Sequence, residues 1–319
     1  MAFDSLERLD QQILAALQVD GRAQFRRIAE VLGTSDQTVA RRYRRLRSTG
    51  QARVLGLTDL SRLGETQWFI RARTTPDAAV AIGEGLSRRP DTTWVYLTSG
   101  GTEIVCSTST RDLRDSNTLL QRLPRSQRIV DVSAHARLHV FFGLASSPLL
   151  KAGLLTDEQM RALAPPAAGP GPAGPVSLDD LDRALLRLLA EDGRHPVEWL
   201  ADRAKAPATT VRRRIEALRA DGVLYLDVDI DQRPGAGTVP TLMWLTVTPA
   251  AVAEVGAALA AQPEVAYAAA TTGRTNIFVS LRSGDAGELY RYLTGPVADL
   301  PGVTAIETAP VIRNFKGAG

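Results

Sequence analysis

The sequence predicts an α+β fold in which one unit, first helical and then mixed, is present twice in a single chain. A shift of 172 residues aligns the segment that starts at Leu6 with the one that starts at Leu178, without a gap. Each copy opens with three short amphipathic helices, and each continues in the order strand, helix, strand, strand, helix, strand. The alignment continues through the second part at a shift of 173, where Pro76 meets Pro249 and Gly100 meets Gly273. Repetition of a whole unit is the most specific feature of the sequence.

The helical part of the first copy predicts a winged helix-turn-helix. Leucine and isoleucine recur at helical spacing from Leu6 to Leu17, and Asp20-Gly21 ends this first helix. A second short helix is closed by Gly33, and a third lies between Thr34 and Gly50. A segment with strand character, residues 52–58, follows and is expected to form the wing.

The third helix is apolar on one side and rich in arginine on the other. Val39, Tyr43 and Leu46 are spaced by four and then three residues, which places them on one face. The opposite face carries several arginines. Such a helix is either a solvated surface helix or one that lies against a phosphate backbone, and its third place in a helix-turn-helix favours the second interpretation.

Residues 66–142 predict a ferredoxin-like domain. Strands are expected at 67–74, 93–98, 103–108 and 129–142, and helices at 76–89 and 111–122. The order is β-α-β-β-α-β. The segment Ser99-Gly100-Gly101-Thr102 joins the second and third strands as a turn that needs positive φ.

The connection between the copies predicts one helix and a linker. Residues 154–163 have helical character, and Thr156 and Gln159 have the spacing of a capping box. The stretch from Pro165 to Pro175 is rich in Pro, Gly and Ala and predicts an extended, semi-stiff linker. We therefore expect helix-turn-helix domains at 1–60 and 177–232, ferredoxin-like domains at 65–145 and 238–315, and a connection at 146–176.

Composition narrows the classes of function. The chain has 319 residues, is 44% hydrophobic and carries a net charge of only +3, so any nucleic-acid site must come from local clustering. The single cysteine, Cys106, excludes an intrachain disulfide, and the three histidines have no ligand spacing, so no metal or cofactor is predicted. The N-terminus does not resemble a signal peptide, and no segment is long and apolar enough to span a bilayer. We expect a cytoplasmic protein without membrane contact.

Short motifs in both copies resemble the Lrp/AsnC family of regulators. They are Leu9-Asp10 with Ile13-Leu14, the turn Asp20-Gly21-Arg22, and Thr38 to Arg42 followed by Leu46 and Gly50, with counterparts at Asp182, Asp192-Gly193-Arg194 and Val211 to Gly222. The resemblance implies a helix-turn-helix that binds double-stranded DNA and a ferredoxin-like (RAM) domain that pairs its sheet with a second copy. It also implies a small-molecule effector, often an amino acid, and self-association into homodimers or larger assemblies.

Candidate DNA contacts lie at the start and along the outer face of each third helix. They are Ser35, Gln37, Thr38, Arg41, Arg42 and Arg45 in the first copy, and Thr209, Thr210, Arg212, Arg213 and Arg214 in the second. Residues 6–55 carry a net charge of +5, whereas residues 178–232 carry −3. We expect both copies to contact DNA, with the first contributing more phosphate affinity.

Candidate effector contacts lie in the glycine loops, where the family resemblance implies a Gly-x-x-Asp sequence. The loops read Gly100, Gly101, Thr102 and Glu103 in the first copy, and Gly273, Arg274, Thr275 and Asn276 in the second. Neither copy keeps the aspartate, which argues against a standard amino-acid effector, and Arg274 offers a contact for an anion. A hairpin turn without a ligand needs glycine as well, so that interpretation stays open.

Three functions are compatible with the sequence. The first is a DNA-binding regulator, a covalent pseudo-dimer whose two half-sites need not be palindromic. The second is an enzyme, since some Lrp/AsnC-like proteins decarboxylate siroheme, with His135, Arg137 and His139 as residues near such a site. The third is a RAM sensor that no longer binds DNA. An enzyme has no use for the arginine-rich helix, so we expect no catalytic residues.

Overall fold

The computed structural model describes residues 6–112, 114, 118–123, 127–144, 146–165, 174–230 and 239–317. The chain forms two compact units, each made of parts from both copies. The helix-turn-helix unit comprises Met1–Gly64 and Leu144–Gln232, and the barrel unit comprises Glu65–Gly143 and Arg233–Ala318. Like parts of the two copies therefore associate with each other.

The helix-turn-helix unit contains both sets of three helices that the sequence predicts. The helices of the first copy are α1 (Arg8–Val19), α2 (Phe25–Leu32) and α3 (Asp36–Ser48). Two short helices follow later in the chain, α6 (Pro148–Lys151) and α7 (Asp157–Leu163), and the second copy supplies α8 (Asp180–Glu191), α9 (Val197–Ala204) and α10 (Ala208–Ala220). The predicted triad Val39, Tyr43 and Leu46 is buried in α3.

The segment predicted to be a wing pairs instead with its counterpart in the other copy. Strand β1 (Ala52–Thr58) and strand β6 (Leu224–Ile230) form a two-stranded antiparallel ribbon, with Leu55 opposite Asp227. The predicted strand is confirmed, but its hydrogen bonds cross between copies. A lone strand leaves its backbone donors and acceptors unpaired, and the second copy supplies the partner within one chain.

The connection between the copies packs on the first helix-turn-helix. Leu149, Leu155 and Leu163 are buried in the same core as Ile13 and Ile28. The helix predicted at 154–163 is shorter, since α7 begins after Thr156, and the capping box of Thr156 and Gln159 is confirmed. The linker prediction falls mostly on residues 166–173, which lie outside the described residues.

The barrel unit contains the two predicted ferredoxin-like repeats. The first has β2 (Thr66–Thr74), α4 (Ala79–Ser87), β3 (Thr92–Thr98), β4 (Glu103–Thr110), α5 (Leu119–Arg122) and β5 (Ile129–Phe142). The second has β7 (Val239–Val247), α11 (Val252–Ala261), β8 (Val265–Thr271), β9 (Ile277–Ser283), α12 (Ala286–Tyr292) and β10 (Val303–Lys316). The helix predicted at 111–122 is helical at 119–122, and part of it lies outside the described residues.

The two ferredoxin-like sheets join edge to edge into one closed barrel. The strand order is β10-β3-β4-β2-β5-β8-β9-β7. Each long last strand serves both sheets: β5 pairs first with β2 and then with β8, while β10 pairs first with β7 and then with β3. A buried aromatic cluster that includes Phe69, Trp244 and Phe278 draws its side chains from both repeats. This shared core and the shared strands make the two repeats one body.

In the described part of the chain, no helix has both the length and the apolarity needed to cross a bilayer. Among the same residues, no cluster of three or more histidine, cysteine, aspartate or glutamate side chains is arranged to hold a metal ion. Cys106 is buried, and its burial raises the pKa of the thiol to about 12. It therefore packs as a small apolar side chain, as expected.

Candidate nucleic-acid interface and effector loops

The arginines of α3 fall into two groups, one bound to the protein and one directed to solvent. Arg42 donates to Glu7 at 2.8 Å and to Asp10 at 3.1 Å, and Arg45 also bonds to Asp10. Asp10 lies on α1 and is fully buried, so its charge needs these partners. Two predicted DNA contacts, Arg42 and Arg45, thus orient α3 on α1. DNA contact by them stays a prediction.

The second copy repeats this ion pair. Arg214 donates to Asp182 at 3.4 Å and to Asp179 at 2.5 Å, and these two aspartates form a capping box at the start of α8. Asp182 is the counterpart of Asp10, and Arg214 that of Arg42. The repeated pair therefore belongs to the architecture of the domain rather than to one copy.

The remaining predicted contacts lie on the solvent side of the helices. Gln37, Arg41 and Arg44 are exposed along α3, and Arg212 and Arg213 along α10. In the described part of the chain, Arg41, Arg212 and Arg213 form no ion pair or side-chain hydrogen bond with protein. These guanidinium groups are free to contact an anionic partner.

The N-terminal turns of the two helices differ. Ser35 caps α3 by accepting from the Thr38 amide at 3.1 Å, and its hydroxyl lies 2.9 Å from that of Thr38. Helix α10 begins after Pro207, without a side-chain cap, and Thr209 and Thr210 lie in its first turn.

A clasp of four side chains joins the two helix-turn-helix domains. We use the word clasp for Arg22, Arg194, Asp20 and Asp192, the charged ends of the two Asp-Gly-Arg turns. Arg22 donates to the carbonyls of Gly193 (2.7 Å) and His195 (3.0 Å), and Arg194 donates to those of Gly21 (2.6 Å) and Ala23 (3.0 Å). Burial lowers the pKa of both arginines. The reciprocal bonds make the domains a pseudo-symmetric pair.

The clasp also holds the last turn of the third helix of each helix-turn-helix, α3 and α10, which we call the recognition helices. Arg47 of α3 pairs with Asp192 at 2.7 Å, and Arg219 of α10 pairs with Asp20 at 2.8 Å. From the sequence, the two turns are predicted as helix ends and as motifs of the family resemblance, not as contacts between the copies. Each helix is in fact anchored to the opposite copy, so the distance between the helices is set by the fold.

The two effector loops have different surroundings. Glu103 is buried and accepts from Arg71 at 2.8 Å, Ser99 at 2.8 Å and Thr98 at 3.2 Å. Arg71 also forms a two-pronged bond to Glu307 of the second repeat, at 2.8 and 2.5 Å, and lies 4.0 Å over the Trp244 ring. The carboxylate that an ammonium ligand would use in the first loop therefore already has hydrogen-bond partners within the protein.

The second loop carries no such ion cluster. Asn276 accepts from the Val247 amide at 2.9 Å and donates to the Val247 carbonyl at 2.7 Å. Gly273 has φ of 110°, and a Cβ there would lie 2.2 Å from His135 Nδ1, so the loop presses on the first repeat. Arg274 and Gly273 are exposed, as are Gly100 and, in part, Gly101, Thr102 and Thr275. Effector contact by the loop residues stays a prediction.

Comparison with known proteins agrees with the two-part repeat. The AsnC-type helix-turn-helix domain matches residues 6–47 and again 178–219, and the Lrp/AsnC ligand binding domain matches residues 241–319. An uncharacterised HTH-type transcriptional regulator of Pyrococcus abyssi is 34% identical over 145 residues, which are 45% of this chain and 91% of that protein. The HTH-type transcriptional regulator FL11 of Pyrococcus horikoshii is 27% identical over 44% of this chain and 93% of its own. Each of these regulators therefore matches about half of the chain.

A structural match extends over the whole chain. The crystal structure of the siroheme decarboxylase NirDL superposes with a TM-score of 0.66, covering 98% of this chain and 93% of that one. Sequence identity is 14%, so the similarity shows a common fold. The duplicated arrangement is thus found in a second protein.

Proposed function

The chain belongs to the Lrp/AsnC family, and from this premise we propose that it is a sequence-specific DNA-binding transcriptional regulator. The observation that carries the proposal is the free guanidinium groups of Arg41 and Arg213. They occupy the same position on the two recognition helices and are exposed and unpaired among the described residues. The neighbouring Arg42 and Arg214 are bound to carboxylates and hold each helix in place. Each recognition helix is therefore pre-positioned, with at least one exposed arginine available for DNA.

The test is in vitro selection of DNA from a random pool, followed by gel shift on the enriched sequence. Arg41→Ala should weaken binding about 5- to 150-fold if Arg41 reads a guanine, and should then relax preference at one base. If Arg41 contacts phosphate, the loss is uniform across sequences, and the slope of log affinity against log salt falls by about 1. Arg88→Ala removes the same charge from an exposed position in the barrel unit and serves as the control.

We propose further that an effector binds at the loops of the barrel unit and that it carries a negative charge. Glu103 is buried and paired with Arg71, and the second loop has Asn276, bound to Val247, at the same position, so neither loop offers a free carboxylate. Arg274 is exposed in the second loop, and its guanidinium forms no hydrogen bond or ion pair with the described part of the chain. A thermal-shift screen of amino acids and small organic acids tests this proposal. We expect organic acids to stabilise the protein, and Arg274→Ala to remove the response.

A second candidate, siroheme decarboxylation, is favoured by the whole-chain similarity to NirDL. Against it, two of the three residues considered for such a site form hydrogen bonds within the protein. His135 Nδ1 lies 2.7 Å from the Thr272 carbonyl, and Arg137 donates to Gln67 at 2.7 Å. The third, His139, packs its ring against Phe141. We therefore propose a regulatory rather than a catalytic role.

One experiment separates the two functions. The purified protein is mixed with siroheme under reducing, anaerobic conditions, and its absorption spectrum and products are followed. The enzyme hypothesis requires a bound tetrapyrrole spectrum and loss of carboxyl groups. A regulator of the kind proposed gives neither, and instead enriches specific DNA from the random pool.

A further inference from the structure

The two recognition helices form a rigid pair with unlike outer faces. The clasp ties α3 to Asp192 and α10 to Asp20, and the β1–β6 ribbon joins the same two domains through seven residue pairs. The backbones are related by a pseudo-twofold arrangement, as they would be in a homodimer. In a homodimer the side chains on the two outer faces are identical, whereas in this chain they need not be.

The exposed positions differ in both charge and hydrogen-bonding capacity. Arg41 and Arg213 correspond, and so do Thr38 and Thr210. The unlike outer pairs include Gln37 against Thr209, Ala40 against Arg212, Arg44 against Glu216, and Arg45 against Ala217. Glutamine suits adenine, arginine suits guanine or phosphate, and glutamate is repelled by phosphate and accepts from cytosine.

We propose that the chain binds an oriented, non-palindromic operator, with α3 and α10 reading two different half-sites in a fixed order. This inference rests on the proposed DNA-binding function. Identical recognition helices related by twofold symmetry select palindromes, because the protein and the site share that symmetry. In this chain the clasp holds the two recognition helices at the spacing of a twofold-related pair. Their outer side chains differ, so the two half-sites they favour differ in base sequence. The half-site under α3 carries more phosphate contact, since Arg44 is replaced by Glu216 in α10.

The first test is in vitro selection with the full chain, compared with a four-residue variant. Wild type should enrich two unlike half-sites in one relative order, and exchanging one half-site should weaken binding about five-fold or more per mismatched base pair. The variant T209Q/R212A/E216R/A217R gives α10 the outer face of α3. All four positions are exposed, so the variant should keep the wild-type melting temperature. It should select a palindrome of the α3 half-site.

The second test measures orientation on the DNA directly. Because Cys106 is buried, a cysteine introduced by Asp36→Cys at the exposed first turn of α3 can carry an iron chelate that cleaves nearby DNA. Cleavage should occur at one end of the selected operator only. Equal cleavage at both ends, a palindromic wild-type consensus or a single half-site would overturn the inference. Failure to enrich any sequence would instead overturn the proposed function, and the inference with it.

Discussion

Replacing Arg194 by alanine should destabilise the helix-turn-helix unit by about 2–4 kcal/mol. The guanidinium of Arg194 donates to Gly21 and Ala23 at 2.6 and 3.0 Å and lies 4.5 Å from the Phe25 ring centre. Hydrogen bonds that involve a charged group contribute about 1.5–3 kcal/mol each, and a partly desolvated cation–π contact about 1 kcal/mol. Burial of the guanidinium, visible in its lowered pKa, offsets part of this gain.

The measurement is urea denaturation of the full chain followed by far-ultraviolet circular dichroism. With a slope of about 2 kcal/mol per molar urea, the midpoint of the helix-turn-helix unit should fall by about 1–2 M. Arg194→Lys should lie between wild type and Arg194→Ala, because an ammonium cannot bridge two carbonyls as a planar guanidinium does. Arg187→Ala, at an exposed position of α8, should shift the free energy by less than about 0.5 kcal/mol. A midpoint change of less than about 0.3 M for Arg194→Ala would refute the role of the clasp.

Three further predictions concern the barrel unit. Cys106, with its pKa raised to about 12, should react with a thiol reagent at pH 8 only after unfolding, whereas prompt reaction of the native chain would contradict its burial. Gly273→Ala should lower the free energy of unfolding by about 1–3 kcal/mol, as measured by thermal unfolding. In the double variant Gly273→Ala/His135→Ala, only the part of this loss that comes from the steric clash should be recovered, because the strain of the positive φ remains. The Arg71 hydrogen bond lowers the pKa of Glu307, so its stabilisation is present above the usual glutamate pKa and is lost as pH falls through the lowered value. The melting difference between wild type and Glu307→Gln should therefore shrink below about pH 4.5, and a constant difference would count against the ion pair.

Local features of the fold were predictable from the sequence, and contacts between the copies were not. The helix triads, the Thr156 capping box and the strand order follow from periodicity and capping chemistry, which act over a few residues. The β1–β6 ribbon and the reciprocal arginine bonds of the clasp join residues 166 to 178 positions apart, and no local pattern encodes that pairing. The strand character of residues 52–58 follows from their own sequence, whereas the strand with which they pair does not.

The sequence indicates which helix carries the candidate DNA contacts, but not which of its arginines are bound within the protein. Asp10 is spaced three, four and seven residues from Ile13, Leu14 and Leu17, which places it on the buried stripe of α1. A buried carboxylate needs a cation, and Arg42 and Arg45 are its partners. The same signal recurs at Asp182 in the second copy, so it was available in the sequence. Which arginines of α3 remain free depends on tertiary packing, which spacing alone does not determine.

The joining of both helix-turn-helix domains in one chain changes how the pair responds to concentration. Two separate subunits with the same ribbon and clasp would fall apart on dilution, and the number of pairs would vary with the square of the subunit concentration at low abundance. In this chain the second domain is always present at the high effective concentration that covalent linkage provides. The two domains therefore pair when the chain folds. At low abundance, the fraction of a binding partner that is occupied by the chain rises in proportion to the number of chains. A few molecules per cell would carry the complete pair.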